Sequence, residues 1–197
     1  MNIIRNILSL IGVITLVVGI GGYAKLAPML AQLDQFDDRA IATYGEMMTK
    51  LLETGDPAEA TVWKVEVDED QSFEDIDQTI KFVANEHNIK NVGELPLWQQ
   101  VAAMTGKEQR VAKIYMFCDP LTAFKMMDFS DAFSAYLPCR ISLVEDKTRK
   151  GRFWIYTLNM DMMIHGGKPL PKDLKDEAEK VKMIMQDVLK RAKVGDF

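Results

Sequence analysis

This chain of 197 residues holds only two cysteines and two histidines, the side chains that most often bind metals or attack substrates. Cys118 and Cys139 form no Cys-x-x-Cys pair and no zinc-finger spacing. No Cys-x-x-Cys-His run is present for haem attachment, and neither histidine belongs to a zinc-protease motif. A glycine-rich phosphate loop is missing too, since Gly166-Gly167-Lys168-Pro169 is too short and lacks the Walker spacing. Excess positive charge is also absent. Lys and Arg number 24 against 29 Asp and Glu, for a net charge of −5. Binding nucleic acid needs a basic face, so that class of partner is excluded. No Ser-His-Asp arrangement, internal repeat or low-complexity stretch stands out.

What the sequence does have begins at once. From Ile7 to Ala24 there is no charge, and Ile, Leu, Val and Gly dominate. As a helix this run is roughly 27 Å long, close to the hydrocarbon thickness of a bilayer. Residues 1–25 therefore read as a transmembrane anchor in contact with lipid. A cleaved signal peptide is the rival reading, with Arg5 as its charged start and Gly22-Tyr23-Ala24 as a cleavage site. The apolar run is long for that role. The α-amine and Arg5 precede the span, and Lys25 and then Asp34, Asp37 and Asp38 follow it. This slight bias favours an inside N-terminus. The expected location is a bacterial inner membrane, crossed once, with a periplasmic domain.

Residues 26–55 carry apolar positions at near-heptad spacing: Leu26, Leu30, Leu33, Phe36, Ala40, Tyr44, Met47 and Leu51. Gly55-Asp56-Pro57 supplies a stop. One amphipathic stalk helix is expected here, with Pro28 starting or kinking it. Leu33, Phe36, Tyr44, Met47 and Leu51 form its interface, covered by the domain itself, by a larger membrane complex or by a second copy.

Residues 60–197 read as one α+β domain. Thr61 to Val67 alternates like a half-buried strand. Ser72 opens a capping pattern with Asp75, before Phe73, Ile76, Ile80 and Val83 repeat at helical spacing. Strands are expected at Ile89 to Leu97 and Val111 to Phe117. A hairpin joins Arg140 to Glu145 with Arg152 to Leu158. Short helical stretches fall at Trp98 to Thr105 and Leu121 to Met127, and a last helix opens at Pro171. An antiparallel sheet with helices on one face satisfies this strand-helix-strands-helix order.

The densest block is Tyr115-Met116-Phe117-Cys118-Asp119-Pro120, Leu137-Pro138-Cys139-Arg140-Ile141, and Leu158-Asn159-Met160-Asp161-Met162-Met163-Ile164-His165-Gly166-Gly167-Lys168. With Glu94-Leu95-Pro96-Leu97 upstream, it resembles the DUF302 family over about residues 60 to 170. The resemblance implies a fold like that of the TATA-binding protein, with no catalytic residue to transfer.

Cys118 and Cys139 sit at strand ends beside a proline. They are open to three readings: quiet core thiols, a disulfide, or a redox or metal pair, with Arg140 lowering the Cys139 pKa. His165 follows Met160, Met162 and Met163, a donor set suited to copper as Cu(I) or to haem iron. The plainer reading packs these methionines under the sheet and leaves His165 closing a turn. No catalytic constellation emerges. The expected function is a non-catalytic, membrane-anchored accessory protein. A ligand, haem or copper module and a sulfur-handling enzyme using Cys139 are the alternatives.

Overall fold

Alternating side chains build five strands: β1 (Val62–Glu66), β2 (Lys90–Pro96), β3 (Ala112–Cys118), β4 (Cys139–Glu145) and β5 (Phe153–Leu158). The structure, a computed structural model, describes residues 2–197. In β3 the alternation is strict: Lys113, Tyr115 and Phe117 are buried, while Ile114 and Met116 are half-buried on the other face. All pairings are antiparallel, in the order β1-β5-β4-β3-β2.

Helices α4 (Phe73–Glu86) and α8 (Lys172–Val194) pack together and bury one sheet face. The Ser72 hydroxyl accepts from the Asp75 N–H at 3.1 Å, and the Asp75 carboxylate accepts from the Ser72 N–H at 3.3 Å. This reciprocal cap starts α4 where the sequence places it. Ile76, Ile80 and Val83 then meet Val181, Met185 and Val188 in a common core. Each such buried side chain contributes about 1.5–3 kcal/mol of transfer free energy. Because β1 and β2 are opposite edges of the sheet, α4 carries the chain from one edge to the other.

The N-terminal region departs from the expected single stalk. Helix α1 (Asn2–Leu30) continues through Pro28 for one half-turn and ends. A short 3-10 turn follows at Leu33–Gln35, and α2 (Ala40–Thr54) begins after it, closing at Gly55 with φ +67°. Two features break the heptad stripe. Pro28 has no N–H to give the helix. Asp37 accepts from the Arg39 N–H at 3.0 Å, a local turn that competes with helical hydrogen bonding. The stripe is thus divided between segments that do not share a face.

Short connections complete the chain: α3 (Pro57–Ala60), α5 (Leu97–Thr105), α6 (Pro120–Phe129), a 3-10 turn at Asp131–Tyr136, and α7 (Asp161–His165). Register places the end of β3 and the start of β4 side by side, since Phe117 opposes Cys139. Helices α6 and α7 leave from this same end of the sheet.

Candidate functional site

A narrow pocket of about 30 Å³ lies between this end of the sheet, α6, α7 and α8. Thirteen residues line it, and five carry sulfur: Cys118, Cys139, Met126, Met160 and Met163. In the chain as a whole, sulfur is carried by 13 Met and 2 Cys among 197 residues. The lining is therefore far richer in sulfur than the protein around it. Both cysteines are free thiols. Burial pushes the Cys139 thiol up to about 11, the neighbouring Cys118 adds to that rise, and the Arg140 charge opposes it without prevailing. Arg140 is exposed, so the expected activation of Cys139 by Arg140 is overturned by desolvation. A small-molecule pocket is about 300–1,000 Å³. A haem is out of scale here.

His165 and Met162 are not part of this lining. His165 is 2% exposed and faces the start of α2 and the flank of α8. Its Nδ1 lies 3.1 Å from Asp37 Oδ1, and its Nε2 lies 2.8 Å from Glu179 Oε1 and 2.9 Å from Arg39 Nη1. Lys175 reaches Asp37 Oδ2 at 2.5 Å. Burial raises the Asp37 carboxyl, but hydrogen bonds from Lys175 and the Arg39 backbone, with the Lys175 and His165 charges, outweigh it and hold the group below the usual range. Backbone joins in, with the Asp37 N–H donating to the Gly167 carbonyl at 2.8 Å. The cluster fastens the segment after α1 to the domain.

Among the described residues, Asp161, His165 and Glu179 are close enough together to hold a metal ion. Lys182 already bridges Asp161 at 2.6 Å and Glu179 at 3.0 Å, and Arg39 approaches both from outside. A cation would have to displace a lysine and an arginine. The imidazole belongs to a latch, while Met160 and Met163 of the expected Met-His set line the pocket without it.

The expected interface residues also separate. Phe36, Met47 and Leu51 are half-buried, as is Leu33, while Tyr44 is exposed. The outward face of α2 instead shows Ile41, Tyr44, Met48 and Leu52, spaced three or four residues apart.

Two further clusters were hidden from sequence. At the far end of β3, Lys113 bridges Asp77 at 2.5 Å and Glu94 at 2.7 Å, with Lys81 on Asp77 at 2.6 Å and the Tyr115 hydroxyl donating to Asp77. On the sheet face opposite α4 and α8, a hollow of about 480 Å³ is lined by Val144, Trp154, Tyr156 and the β4–β5 turn. Its two acids are internally satisfied: Asp146 accepts from Trp154 Nε1 at 2.9 Å and from Arg149 at 2.7 Å, and Glu145 accepts from the Val111 and Gly151 N–H groups at 3.0 and 2.8 Å.

The family model described as "Domain of unknown function DUF302" matches residues 63–192. The chain belongs to the DUF302 family. The match starts within β1, after α1, α2 and α3. No curated protein matches. The crystal structure of an uncharacterized conserved DUF302 protein from Bacillus stearothermophilus superposes with a TM-score of 0.53 and 13% identity. The alignment covers 67% of this chain and 98% of that one. At this identity the likeness speaks for fold alone, an open antiparallel sheet with helices.

Proposed function

We propose that this DUF302 protein is a membrane-anchored, non-catalytic accessory subunit that docks its domain against a larger membrane complex. One observation carries the reading: apolar surface is left uncovered on two successive helices. The stretch Leu10–Gln35 is long and apolar enough to span a bilayer, and in its most apolar 18-residue window no described residue is buried within the molecule. Helix α2 then presents its outward stripe, in which Ile41 is 65% and Leu52 is 79% exposed. The two are joined by the Asp37–His165 latch rather than by a loose linker. A fixed joint orients the domain relative to its anchor, which suits docking better than free tethering.

The α2 stripe favours a protein partner over lipid. Helices that lie on membranes are rich in Lys and Arg on their polar face, whereas α2 has Glu46 and Glu53 against Lys50. The charge bias from Arg5 to Asp38 favours a periplasmic domain in a bacterial inner membrane.

The test uses the full chain in native membranes, with a photo-crosslinking residue at position 52 and, separately, at exposed position 147. The chain is expected to resist alkaline carbonate extraction and to crosslink to another polypeptide from position 52 alone. Extraction into the soluble fraction, or equal crosslinking from both positions, would overturn the reading.

A further inference from the structure

The sulfur-lined pocket is independent of the anchor and stands whether or not α1 crosses a bilayer. We propose that it is a buried site for one soft monovalent metal ion, Cu(I), held by the Cys139 thiolate and methionine thioethers.

Four observations converge on this. The donors are of one kind, since Cys118, Cys139, Met126, Met160 and Met163 surround a single cavity. Soft sulfur ligands suit Cu(I), zinc and iron–sulfur clusters, and a site rich in neutral thioethers with a single thiolate matches the softest and lowest-charged of these, Cu(I). The cavity, about 30 Å³, suits one ion, being little more than the space of a water or two. No lysine or arginine lines it. The Asp161–His165–Glu179 trio, by contrast, is already neutralised by Lys182 and Arg39. Asp119 is the one acid in the lining, and its carboxylate is engaged in capping α6 through the Leu121 and Thr122 N–H groups at 3.0 and 3.2 Å.

Charge decides the ligand set. One thiolate with Cu(I) and neutral thioethers gives a complex of zero net charge, which an apolar cavity tolerates. Two thiolates would leave a buried anion with no cation in the lining. Cys139 faces the helix-covered side opposite Phe117 and takes the thiolate role. Cys118 ends β3 at the mouth beside Asp119 and stays a thiol. In the binding step Cu(I) bonds to Cys139 Sγ, the S–H bond breaks, and the proton leaves to solvent. No electron is transferred.

Because a cysteine thiol is protonated at neutral pH, metal must displace one proton. Apparent affinity should therefore rise about tenfold per pH unit below the thiol's own pKa. A two-thiolate site would show about a hundredfold.

The experiment takes reduced full-length protein in detergent, without oxygen, and titrates Cu(I) against a chromogenic Cu(I) chelator. One equivalent should bind with a thiolate-to-metal band in the near ultraviolet and the tenfold pH slope. Cys139→Ser should lose at least about a hundredfold in affinity. The paired Met160→Leu and Met163→Leu variant keeps side-chain volume, so its fold should survive even if Cys139→Ser does not, and it should lose at least about tenfold. Exposed Met183→Leu should match the parent. Binding that is indifferent to pH, unaffected in the paired methionine variant or weakened in Met183→Leu would overturn the proposal. So would a native Cys118–Cys139 disulfide whose reduction gives a protein that takes up no Cu(I).

Discussion

Strand β3 joins two buried clusters of opposite design. At its first end Lys113, Tyr115, Asp77, Glu94 and Lys81 form a closed network of charge in which each carboxylate meets an ammonium or a hydroxyl. At its last end Cys118 opens onto four more sulfur atoms with no charged partner among them. The first cluster has spent its bonding capacity inside the protein, with the Lys113 ammonium lying 4.8 Å from the Tyr115 ring centre as well. The second keeps unused donors around a small gap. Burial alone does not distinguish a structural cluster from a receptive one. Saturation does.

The largest effect should come from breaking the charged end. Lys113→Met fills similar space but removes the more buried of two bridging cations, its side chain only 10% exposed, and leaves Asp77 and Glu94 to Lys81, which is 40% exposed. Removing one partner of a fully buried pair costs about 3–5 kcal/mol; with Lys81 and Tyr115 still in place, about 2–3 kcal/mol is expected. Urea unfolding should show that loss, with Cu(I) uptake retained by the folded fraction. A change below about 1 kcal/mol would mean that solvent already screens the network.

A pH titration sharpens the same contrast at intermediate size. Burial raises the Asp77 carboxyl, yet hydrogen bonds from Lys113, Lys81 and Tyr115 outweigh it and hold the group below its ordinary value. Glu94 is likewise lowered, against burial, by Lys113 and Asn91. Groups lowered on folding add stability that is complete above the unfolded carboxylate range, near about 4, and fades as pH falls through their folded values. Amide exchange should therefore accelerate at Lys113 and Tyr115 as pH drops below about 4, after correction for intrinsic rates. Protection at Phe117 and Cys118 should follow only with global unfolding. The two ends losing protection together from the outset would argue for one cooperative unit.

Local patterns explain how much of this was legible from residues alone. Alternation in Val111 to Phe117, the Ser72–Asp75 cap and the stop at Gly55 all depend on neighbours within a few positions, and each is found in place. The DUF302 motifs likewise lead to the observed sheet. The site was harder because α7 sorts adjacent residues onto different sides. Met160, Met163 and Ile164 fall on the side facing the pocket, while Asp161 and His165, four apart, face α8. Proximity in sequence suggests a Met-His ligand set, from which one helical turn directs Met160 and Met163 to the pocket and His165 to the latch. Met126 gave its signal only through α6, which returns it to Cys118 after two turns. Lys113 takes an inward strand position, and its partners Asp77 and Glu94 come from other elements, out of reach of any local pattern. Asp37 reads in sequence only as one of three acids following the span, although buried in the fold it breaks the stalk and fastens it.

The smallest effect expected is Met163→Leu by itself, and it bears on the open end. Met163 is 8% exposed and packs in the core beside the pocket. Leucine matches its volume and apolarity, and such swaps usually cost less than about 1.5 kcal/mol. If the thioether is there as a donor, exchanging sulfur for carbon should barely move the unfolding midpoint while weakening Cu(I) uptake. A loss of about 2 kcal/mol or more would show instead that Met163 has a shape leucine cannot reproduce, and that the sulfur atoms line the pocket as filler. The comparison between the two ends would then fail, since both would be structural.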